Sequence, residues 1–171
     1  MAEDMMNTSR PVRLALIAPE PEGRDQLAQM YGAQLAKILS TDIRLAQELG
    51  HPLPERPIEG DQFIQETTEW CAGRNAVSYA IVLGDNSAVG QLSISRMDVA
   101  QGSARVGYLL ASAHWGAGIM TQAFALALDE ARSRGFQTVC GFIPTGHAAS
   151  QRLWSRHGAV AEQREGSSFM R

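Results

Sequence analysis

At 171 residues, the chain has the length of one domain with room for a substantial hydrophobic core. Apolar residues make up 44% of it without forming a long apolar run, which excludes a transmembrane helix and gives no reason to expect a membrane partner. The formal net charge of −3 at pH 7 is too small, and of the wrong sign, for a nucleic-acid binder.

The N-terminal segment and the two cysteines bear on domain organisation and compartment. Met1–Arg10 is polar and lacks the hydrophobic core of a secretory signal, so we expect a flexible N-terminus followed by one domain over residues 11–171. Cys71 and Cys140 lie far apart and match no metal-ligand spacing. They predict reduced thiols in a cytoplasmic protein without a metal site. Cys140 lies in an apolar run, which favours a buried thiol over a nucleophile.

The first half of the chain is predicted to hold one strand and three helices. The apolar run Val12–Ala18 is typical of a strand. Helical periodicity runs from about Gly23 to Leu39, and Ile43–Leu49 follows as a short helix that Ser40-Thr41-Asp42 can cap. After the proline-rich loop 51–57, a third helix is expected over about Ile58–Cys71. Its predicted packed side consists of Phe63, Thr67, Trp70 and Cys71.

The second half is predicted to be richer in strands. The apolar and alternating runs and their turn residues indicate strands at Ala76–Leu83, Ala88–Met97, Ala104–Ala111 and Gln137–Ile143. A helix with Met120, Phe124 and Leu128 on one face precedes the last of these, and another follows at about Ala148–His157. A short hairpin, Ala159–Arg164 with Ser168–Arg171, ends the chain and is a candidate edge for a homodimer.

Charge is divided unevenly between the two halves. Residues 1–75 hold twelve acidic and seven basic side chains, a net charge of −5, whereas residues 76–171 hold six and eight, a net charge of +2. A basic second half suits a polyanionic ligand, and an acidic first half suits a cationic amine. Ordinary solvated surface charge explains the same numbers equally well.

The junction between the fourth strand and the following helix has the features of an anion site. The first turn of a helix leaves N–H groups without intrahelical partners, and the helix dipole adds partial positive charge there. Gly116 and Gly118 lack a Cβ, so a phosphate or pyrophosphate can approach the backbone, and Thr121 can add a hydroxyl donor. The loop is neither Gly-x-Gly-x-x-Gly nor a P-loop, because Thr occupies position 121 and no Gly-Lys-Ser/Thr follows.

Two sequence blocks resemble the GNAT acetyltransferase family. The loop Ala113-His-Trp-Gly116-Ala-Gly118 matches both glycines of the family's Gln/Arg-x-x-Gly-x-Gly/Ala pyrophosphate loop, but not its first position. His147-Ala-Ala-Ser150-Gln-Arg-Leu-Trp154 resembles the family's later block, Asn-x-x-Ser/Ala-x-x-x-Leu/Tyr, at the expected distance. The sequence around Val106-Gly-Tyr-Leu-Leu110 is most similar to the branch that acetylates ribosomal-protein N-termini.

The resemblance implies a fold and a cofactor. The fold is α/β (α+β), with a mixed, mostly antiparallel sheet that is splayed between strands four and five and carries helices on both faces. The cofactor is acetyl-CoA, whose pantetheine arm inserts between the splayed strands. By resemblance, the cofactor-binding residues are Leu109, Leu110, Ala111, Trp115, Gly116, Ala117, Gly118, Ile119, Met120, Thr121, His147 and Ser150.

The implied reaction is direct attack of an amine on the acetyl thioester, which requires a base for the amine and an acid for the leaving thiolate. Arg105 stands where the related branch often has a glutamate, and a guanidinium cannot act as base. The remaining candidates for the base are His114, His147, Asp98, Glu66 and Glu69. Histidine titrates in the appropriate range, although His147 can equally replace the family's asparagine as a hydrogen-bonding residue.

The acid is also open. Many family members place a tyrosine in the last helix, where this chain has Trp154, which has no hydroxyl. By resemblance to the ribosomal-protein branch, Ser150 takes that role, and capping of the last helix is the alternative. We therefore expect an N-acetyltransferase acting on a small amine or a protein N-terminus. The second hypothesis is an acyl-CoA-binding sensor or interaction module of the same fold with little catalysis.

Overall fold

The computed structural model describes residues 11–19 and 25–171, with Arg164 through its backbone only. The predicted flexible N-terminus at residues 1–10 and the predicted helix start near Gly23 lie outside these residues. The elements, in chain order, are β1 Val12–Ala18, α1 Gln26–Thr41, α2 Ile43–Leu49, α3 Gly60–Arg74, β2 Val77–Leu83, β3 Ala88–Asp98, β4 Ser103–Leu110, α4 Ile119–Ser133, β5 Thr138–Pro144, α5 Ala148–Arg156, β6 Ala161–Arg164 and β7 Ser167–Met170.

The strands form one sheet in the order β1-β2-β3-β4-β5-β7-β6. Every neighbouring pair is antiparallel except β4 and β5, which run parallel. The helix α4 provides the crossover that lets β4 and β5 run parallel, whereas short turns join β2 to β3, β3 to β4 and β6 to β7. The predicted fold class is thus confirmed as a mixed, mostly antiparallel sheet.

Helices cover both faces of the sheet, as expected. On one face, α4 and α5 pack on the central strands and bury Phe124, Ala127 and Trp154. On the other face, α1 and α3 pack on β1 and β2 and bury Tyr31, Leu35 and Phe63. None of the helices in the described part of the chain has the length and hydropathy required of a membrane span.

The packed side of α3 differs from the prediction at one position. Phe63, Thr67 and Cys71 are buried as expected, but Trp70 is 38% exposed and Ile64 is buried in its place. The reason lies in α1, where Gly32 leaves room for the Ile64 side chain. A Cβ at Gly32 would stand only 2.5 Å from Ile64 Cγ1. The helix therefore packs with its face rotated towards Ile64.

Cys140 is half-buried rather than fully buried. Side chains alternate along β5, so Val139, Gly141 and Ile143 face α4 and α5, whereas Cys140 and Phe142 face the opposite side. Phe142 is 42% exposed on that side. The apolar run predicted a strand correctly, but it could not show that one face of the strand stays open.

Candidate active site

The central strands β4 and β5 separate over most of their length. They pair only at Ser103 with Thr138, Ala104 with Val139, and Arg105 with Cys140. Beyond Arg105, β4 continues to Leu110 in register with β3, while β5 turns to pair with β7. A V-shaped gap therefore opens in the sheet, and one edge of β4 faces it.

The phase of the β3–β4 ladder decides which backbone groups face the gap. The Ala111 N–H donates to Val89 O at 2.8 Å, and hydrogen-bonded pairs alternate along an antiparallel ladder. Leu109 therefore directs its N–H and C=O towards β3, while Val106, Tyr108 and Leu110 direct theirs towards the gap. A strand edge without a partner is a ready site for an extended amide-bearing ligand.

This phase changes the residues that were expected to bind pantetheine through their backbone. Of the three predicted positions, only Leu110 faces the gap, because the phase turns Leu109 towards β3. Ala111 is engaged on both sides, since its carbonyl also accepts from His114 N–H at 2.9 Å. The resemblance gave three consecutive residues, whereas the phase of the ladder turns only alternate residues of β4 towards the gap.

The loop after β4 delivers free amides to the same place. Gly116 and Gly118 adopt φ angles of 76° and 75°, and a Cβ built on either would meet no atom within 4 Å. Gly118 is the N-cap of α4 and supplies no side-chain cap, and the first backbone bond into the helix comes from Gln122 N–H. The N–H groups of Ile119, Met120 and Thr121 therefore have no intrahelical partner, as an anion cradle requires.

Contacts made by Trp115 and by Ser112 fix the position of this loop. The Trp115 indole N–H donates to Leu110 O at 2.8 Å, and the Arg44 guanidinium lies 5.0 Å from the centre of the Trp115 ring. Asp42, the N-cap of α2, also accepts from Ser112 N–H at 2.6 Å and from Ser112 Oγ at 2.8 Å. Helix α2 is thus fastened to the end of β4 by a carboxylate.

The electrostatics of Asp42 follow from these bonds. Partial burial acts to raise the pKa of this carboxyl, but the hydrogen bonds from the Ser112 and Leu45 N–H groups, assisted by Ser112 Oγ, act to lower it and outweigh the burial. The net result is a pKa below the ordinary value. Asp42 is therefore ionised at neutral pH and holds the loop as a charged acceptor.

A cavity of about 520 Å³ lies between the gap, the loop, α2 and α5. Its wall is formed by residues of β4, of the loop after β4 and of the helices α2, α4 and α5. The lining residues are Leu45, Glu48, Leu49, Tyr108, Leu109, Leu110, His114, Trp115, Gly116, Gly118, Ile119, Met120, Thr121, His147, Ala149, Ser150, Arg152, Leu153 and Arg156. Of the predicted cofactor-binding residues, only Ala111 and Ala117 are absent from this lining, and Ala117 is an exposed loop residue.

His147 has a carboxylate partner that the sequence did not reveal. Its Nε2 lies 2.8 Å from Oε1 of Glu48, which extends from α2 across the mouth of the cavity. The His147 side chain is 24% exposed and that of Glu48 is 45% exposed, so the pair is open to solvent on one side. When Nε2 donates to Glu48, Nδ1 keeps a lone pair that can accept a proton.

Ser150 and Tyr108 come together on the inner wall. Ser150 lies in the first turn of α5, where the described part of the chain shows no capping bond from its hydroxyl. The Tyr108 hydroxyl is buried and has no hydrogen-bond partner of acceptable geometry. Burial raises the pKa of Tyr108, and side-chain interactions with Ser150 and Trp154 offset part of that rise. Tyr108 therefore remains a neutral O–H donor at physiological pH.

The other candidates for the base lie away from the cavity. Glu66 and Glu69 accept from Gln62 and Gln65 along the exposed side of α3. Asp98 accepts from Gln101 N–H in the turn after β3. Each carboxylate has a local structural role, and none lines the cavity that contains His114, His147 and Ser150.

Sequence reasoning missed four functional candidates, namely Glu48, Tyr108, Arg152 and Arg156. The two arginines stand one helical turn apart on α5, and this spacing could have been recognised as a cationic stripe beside a polyanion site. Tyr108 shares the alternation of Val106 and Leu110, which marks its side chain as inward-facing. Glu48 carries no local signal, because only the packing of α2 brings it to His147.

Comparisons with known proteins agree with this geometry. The family described as the acetyltransferase (GNAT) domain matches residues 13–160. No curated protein sequence matches the chain. Similar solved structures include the GNAT domain of S. lividans PAT, with a TM-score of 0.66 and 14% identity, covering 93% of this chain and 87% of that one.

Two further similar structures contain CoA. Spermidine N-acetyltransferase from Vibrio cholerae in complex with CoA and spermine has a TM-score of 0.64 and 12% identity, covering 95% of this chain and 92% of that one. Mycobacterium smegmatis RimJ in complex with CoA-disulfide has a TM-score of 0.61 and 22% identity, covering 83% and 76%. At these identities the likenesses show the fold alone. Because the family match spans most of its length, the chain belongs to the GNAT acetyltransferase family, whose members use acetyl-CoA.

Proposed function

We propose that the chain is an acetyl-CoA-dependent N-acetyltransferase that transfers an acetyl group to a primary amine by direct attack in a ternary complex. The observation that carries this proposal is the continuity of three features in one cavity. These are the open edge of β4, the uncapped start of α4 and the His147–Glu48 pair. Together they provide for an amide-bearing arm, a pyrophosphate and a base.

The residues present fit acetyl-CoA. The N–H and C=O of Tyr108 and the N–H of Leu110 face the gap and suit the amides of a pantetheine arm, while the Leu110 carbonyl is bonded to the Trp115 indole. The free N–H groups of Ile119, Met120 and Thr121 suit a pyrophosphate, and Arg152 and Arg156 add positive charge along the same wall. The acetyl thioester supplies the activated acyl group for the transfer.

His147 is the base that the geometry favours. It lines the cavity, and Glu48 both orients its ring and stabilises the imidazolium that forms when it accepts a proton from the amine. His114 lines the same cavity from the turn Ser112–His114, but the structure gives it no carboxylate partner among the described residues. It is the second candidate for the same role.

The acceptor is an amine-bearing small molecule or a protein N-terminus. Glu48 is an anionic group at the cavity mouth and supports a cationic acceptor. The spermine bound in the Vibrio cholerae enzyme makes polyamines a reasonable first class to test. The resemblance to the ribosomal-protein branch makes N-terminal peptides the second class. We place the protein in the cytoplasm, with β6 at the edge of the sheet as the candidate surface for a homodimer.

A thiol-release assay across polyamines, aminoglycosides and N-terminal peptides tests the proposal. We expect amine-dependent release of CoA thiol with at least one class. His147→Ala is expected to lower kcat by roughly 100-fold, with His51→Ala as a control on an exposed histidine outside the cavity. Tight CoA binding without thiol release from any amine would favour the alternative, an acyl-CoA-binding sensor or interaction module.

A further inference from the structure

The sheet face opposite α4 and α5 has a partly exposed area on its central strands. Val106 and Leu110 of β4 belong to the core beneath α4, so the alternation of side chains turns Arg105 and Gly107 the other way. The core beneath α1 and α3 takes buried residues from β1, β2 and the start of β3, and none from the described residues of β4 or β5. Arg105 and Gly107 are half-buried on this face, and Phe142 is 42% exposed there.

Arg105 is a cation without a counter-charge among the described residues. Its guanidinium carbon lies over the Phe142 ring, 4.6 Å from the ring centre, and its Nε is enclosed without a hydrogen bond. The two terminal nitrogens are not among the enclosed atoms, and in the described part of the chain they make no hydrogen bond or ion pair. Partial burial of an unpaired charge is unfavourable, so these two nitrogens are a position where an anionic group of a ligand is stabilised.

Space for such a ligand lies beside Arg105. Gly107 is the next residue of β4 on this face, and it pairs with Ser93 of β3. A Cβ built on Gly107 would meet one neighbouring atom within 4 Å, which is Ser93 Oγ at 3.3 Å. The face therefore places a cation, a hydroxyl and a stretch of backbone without a side chain next to one another.

Arg105 also marks the closed end of the gap between β4 and β5, because its pairing with Cys140 is the last between the two strands. In the proposed complex, the pyrophosphate lies at the start of α4, and the arm follows the free edge of β4 from Leu110 past Tyr108. The arm therefore runs towards the closed end, and its acetyl group is the part of the cofactor nearest Arg105. An acceptor that reaches the acetyl group comes close to this guanidinium.

Building on the acetyltransferase proposed above, we propose that Arg105 selects acceptors that carry a carboxylate in addition to the primary amine. The terminal nitrogens of a guanidinium bind a carboxylate through two parallel hydrogen bonds, which would hold the amine nitrogen near the acetyl carbon. A polyamine would bring a second ammonium to the same place, where like charges repel. The carboxylate belongs either to a small amino acid or to an acidic residue that follows the N-terminus of a peptide.

The test measures thiol release with acceptors that differ only in the charge away from the amine. One arm compares unbranched ω-amino acids of increasing length with the amino alcohols and the diamines of the same lengths. The other arm compares peptides that carry glutamate, glutamine or lysine after an N-terminal serine. The variants are Arg105→Gln and Arg105→Glu. Arg74→Gln is the matched control, because the Arg74 guanidinium also lies over an aromatic ring, that of Trp70 at 5.4 Å, but away from the gap.

In at least one arm, we expect the wild-type kcat/KM for the carboxylate-bearing acceptor to exceed that for its neutral analogue by about tenfold or more. Arg105→Gln should remove this preference, mainly by raising the KM for the acceptor, and Arg105→Glu should reverse it in favour of the cationic acceptor. Arg74→Gln should keep it, and the KM for acetyl-CoA should stay within about threefold throughout. The arm that shows the preference identifies the source of the carboxylate, and thermal denaturation confirms that each variant is folded.

Two results would overturn the inference and leave the acetyltransferase assignment intact, because thiol release is still observed in both. One is a wild-type preference for neutral or cationic acceptors in both arms. The other is a carboxylate preference that persists in folded Arg105→Gln, which carries the test alone where Arg105→Glu fails to fold. Thiol release from no acceptor, with CoA still bound, would instead remove the proposed function and this inference with it.

Discussion

The two edges of β4 are used in opposite ways. Along one edge, six consecutive residues from Arg105 to Leu110 are in register with β3. Along the other edge, pairing with β5 ends at Arg105. One edge of β4 is therefore hydrogen-bonded into the sheet, whereas beyond Arg105 the other edge presents backbone donors and acceptors to the gap. Since unpaired backbone groups inside a domain are costly, the difference marks the open side as a place for a ligand.

The helix N-termini show the same contrast. The starts of α1 and α2 are capped by Asp25, which accepts from Leu27 N–H at 2.9 Å, and by Asp42, which accepts from Leu45 N–H at 3.1 Å. The start of α4 has no side-chain cap, and its N-cap is a glycine with a left-handed conformation. Carboxylates thus cap α1 and α2, whereas the glycine start of α4 beside the gap leaves its first amides free, as an anion site needs.

A side chain added where β3 pairs with β4 should have the largest effect on the free energy of unfolding. A Cβ on Gly90 of β3 would lie 2.5 Å from Leu109 O, and a backbone carbonyl cannot move aside. We expect Gly90→Ala to lower the free energy of unfolding by about 3 kcal/mol. Gly107→Ala is the matched change on β4, where only Ser93 Oγ at 3.3 Å is close, and it should cost less than about 1 kcal/mol. Chemical denaturation measures both, and equal losses would contradict the comparison.

A negative charge placed in the loop before α4 should weaken cofactor binding with little effect on the stability of the fold. Ala117 is exposed between the two loop glycines and is not itself in a left-handed conformation. We expect Ala117→Glu to weaken CoA binding by about 100-fold, roughly 2.7 kcal/mol, because its carboxylate competes with the pyrophosphate for the start of α4. Ala117→Gln is the control of similar size without charge. Calorimetry measures both, and similar affinities for the two variants would argue against a pyrophosphate at this loop.

The hydrogen bonds from Ser112 to Asp42 should make the free energy of unfolding depend on pH in the acidic range. The pKa of Asp42 in the folded protein lies below its ordinary value near 3.8, so its contribution is complete above that pH. It is lost as the pH falls through the lower folded pKa. We expect Asp42→Asn to lower the free energy of unfolding by about 1–2 kcal/mol at pH 7 and to flatten its decline below pH 4. Urea denaturation from pH 2 to pH 7 measures this, and an unchanged acid slope would be the contrary result.

The smallest effects should distinguish two buried tyrosines. Tyr79 donates to Glu130 at 2.7 Å and accepts from Arg134 at 2.8 Å, so Tyr79→Phe should cost about 1–2 kcal/mol. Tyr108 has an unpartnered hydroxyl, so Tyr108→Phe should be neutral or should stabilise the protein by up to about 1 kcal/mol. Thermal denaturation in the absence of CoA measures both, and a substantial loss in Tyr108→Phe would indicate a structural bond at that hydroxyl.

Local chemistry made most of the fold predictable from sequence. The helix α2 was expected at Ile43–Leu49 and was found there, because Asp42 caps its start and Gly50 takes the left-handed conformation at its end. The strand β1 was also expected at the observed residues. In α3, periodicity identified the helix but not the rotation of its packed face, which depends on the space left by Gly32 in a different helix.

The sequence by itself determined the strand–loop–helix junction at Gly116–Gly118, because glycine spacing and apolar periodicity are local properties. Only the tertiary structure decided which side chains meet there. Glu48 reaches His147, Asp42 reaches Ser112, and the Tyr108 hydroxyl is left unpartnered beside Ser150. These contacts join residues separated by tens of positions along the chain, and each depends on how whole elements pack. The register of β4 belongs to the same class, since the phase of its ladder is set by β3 and not by its own residues.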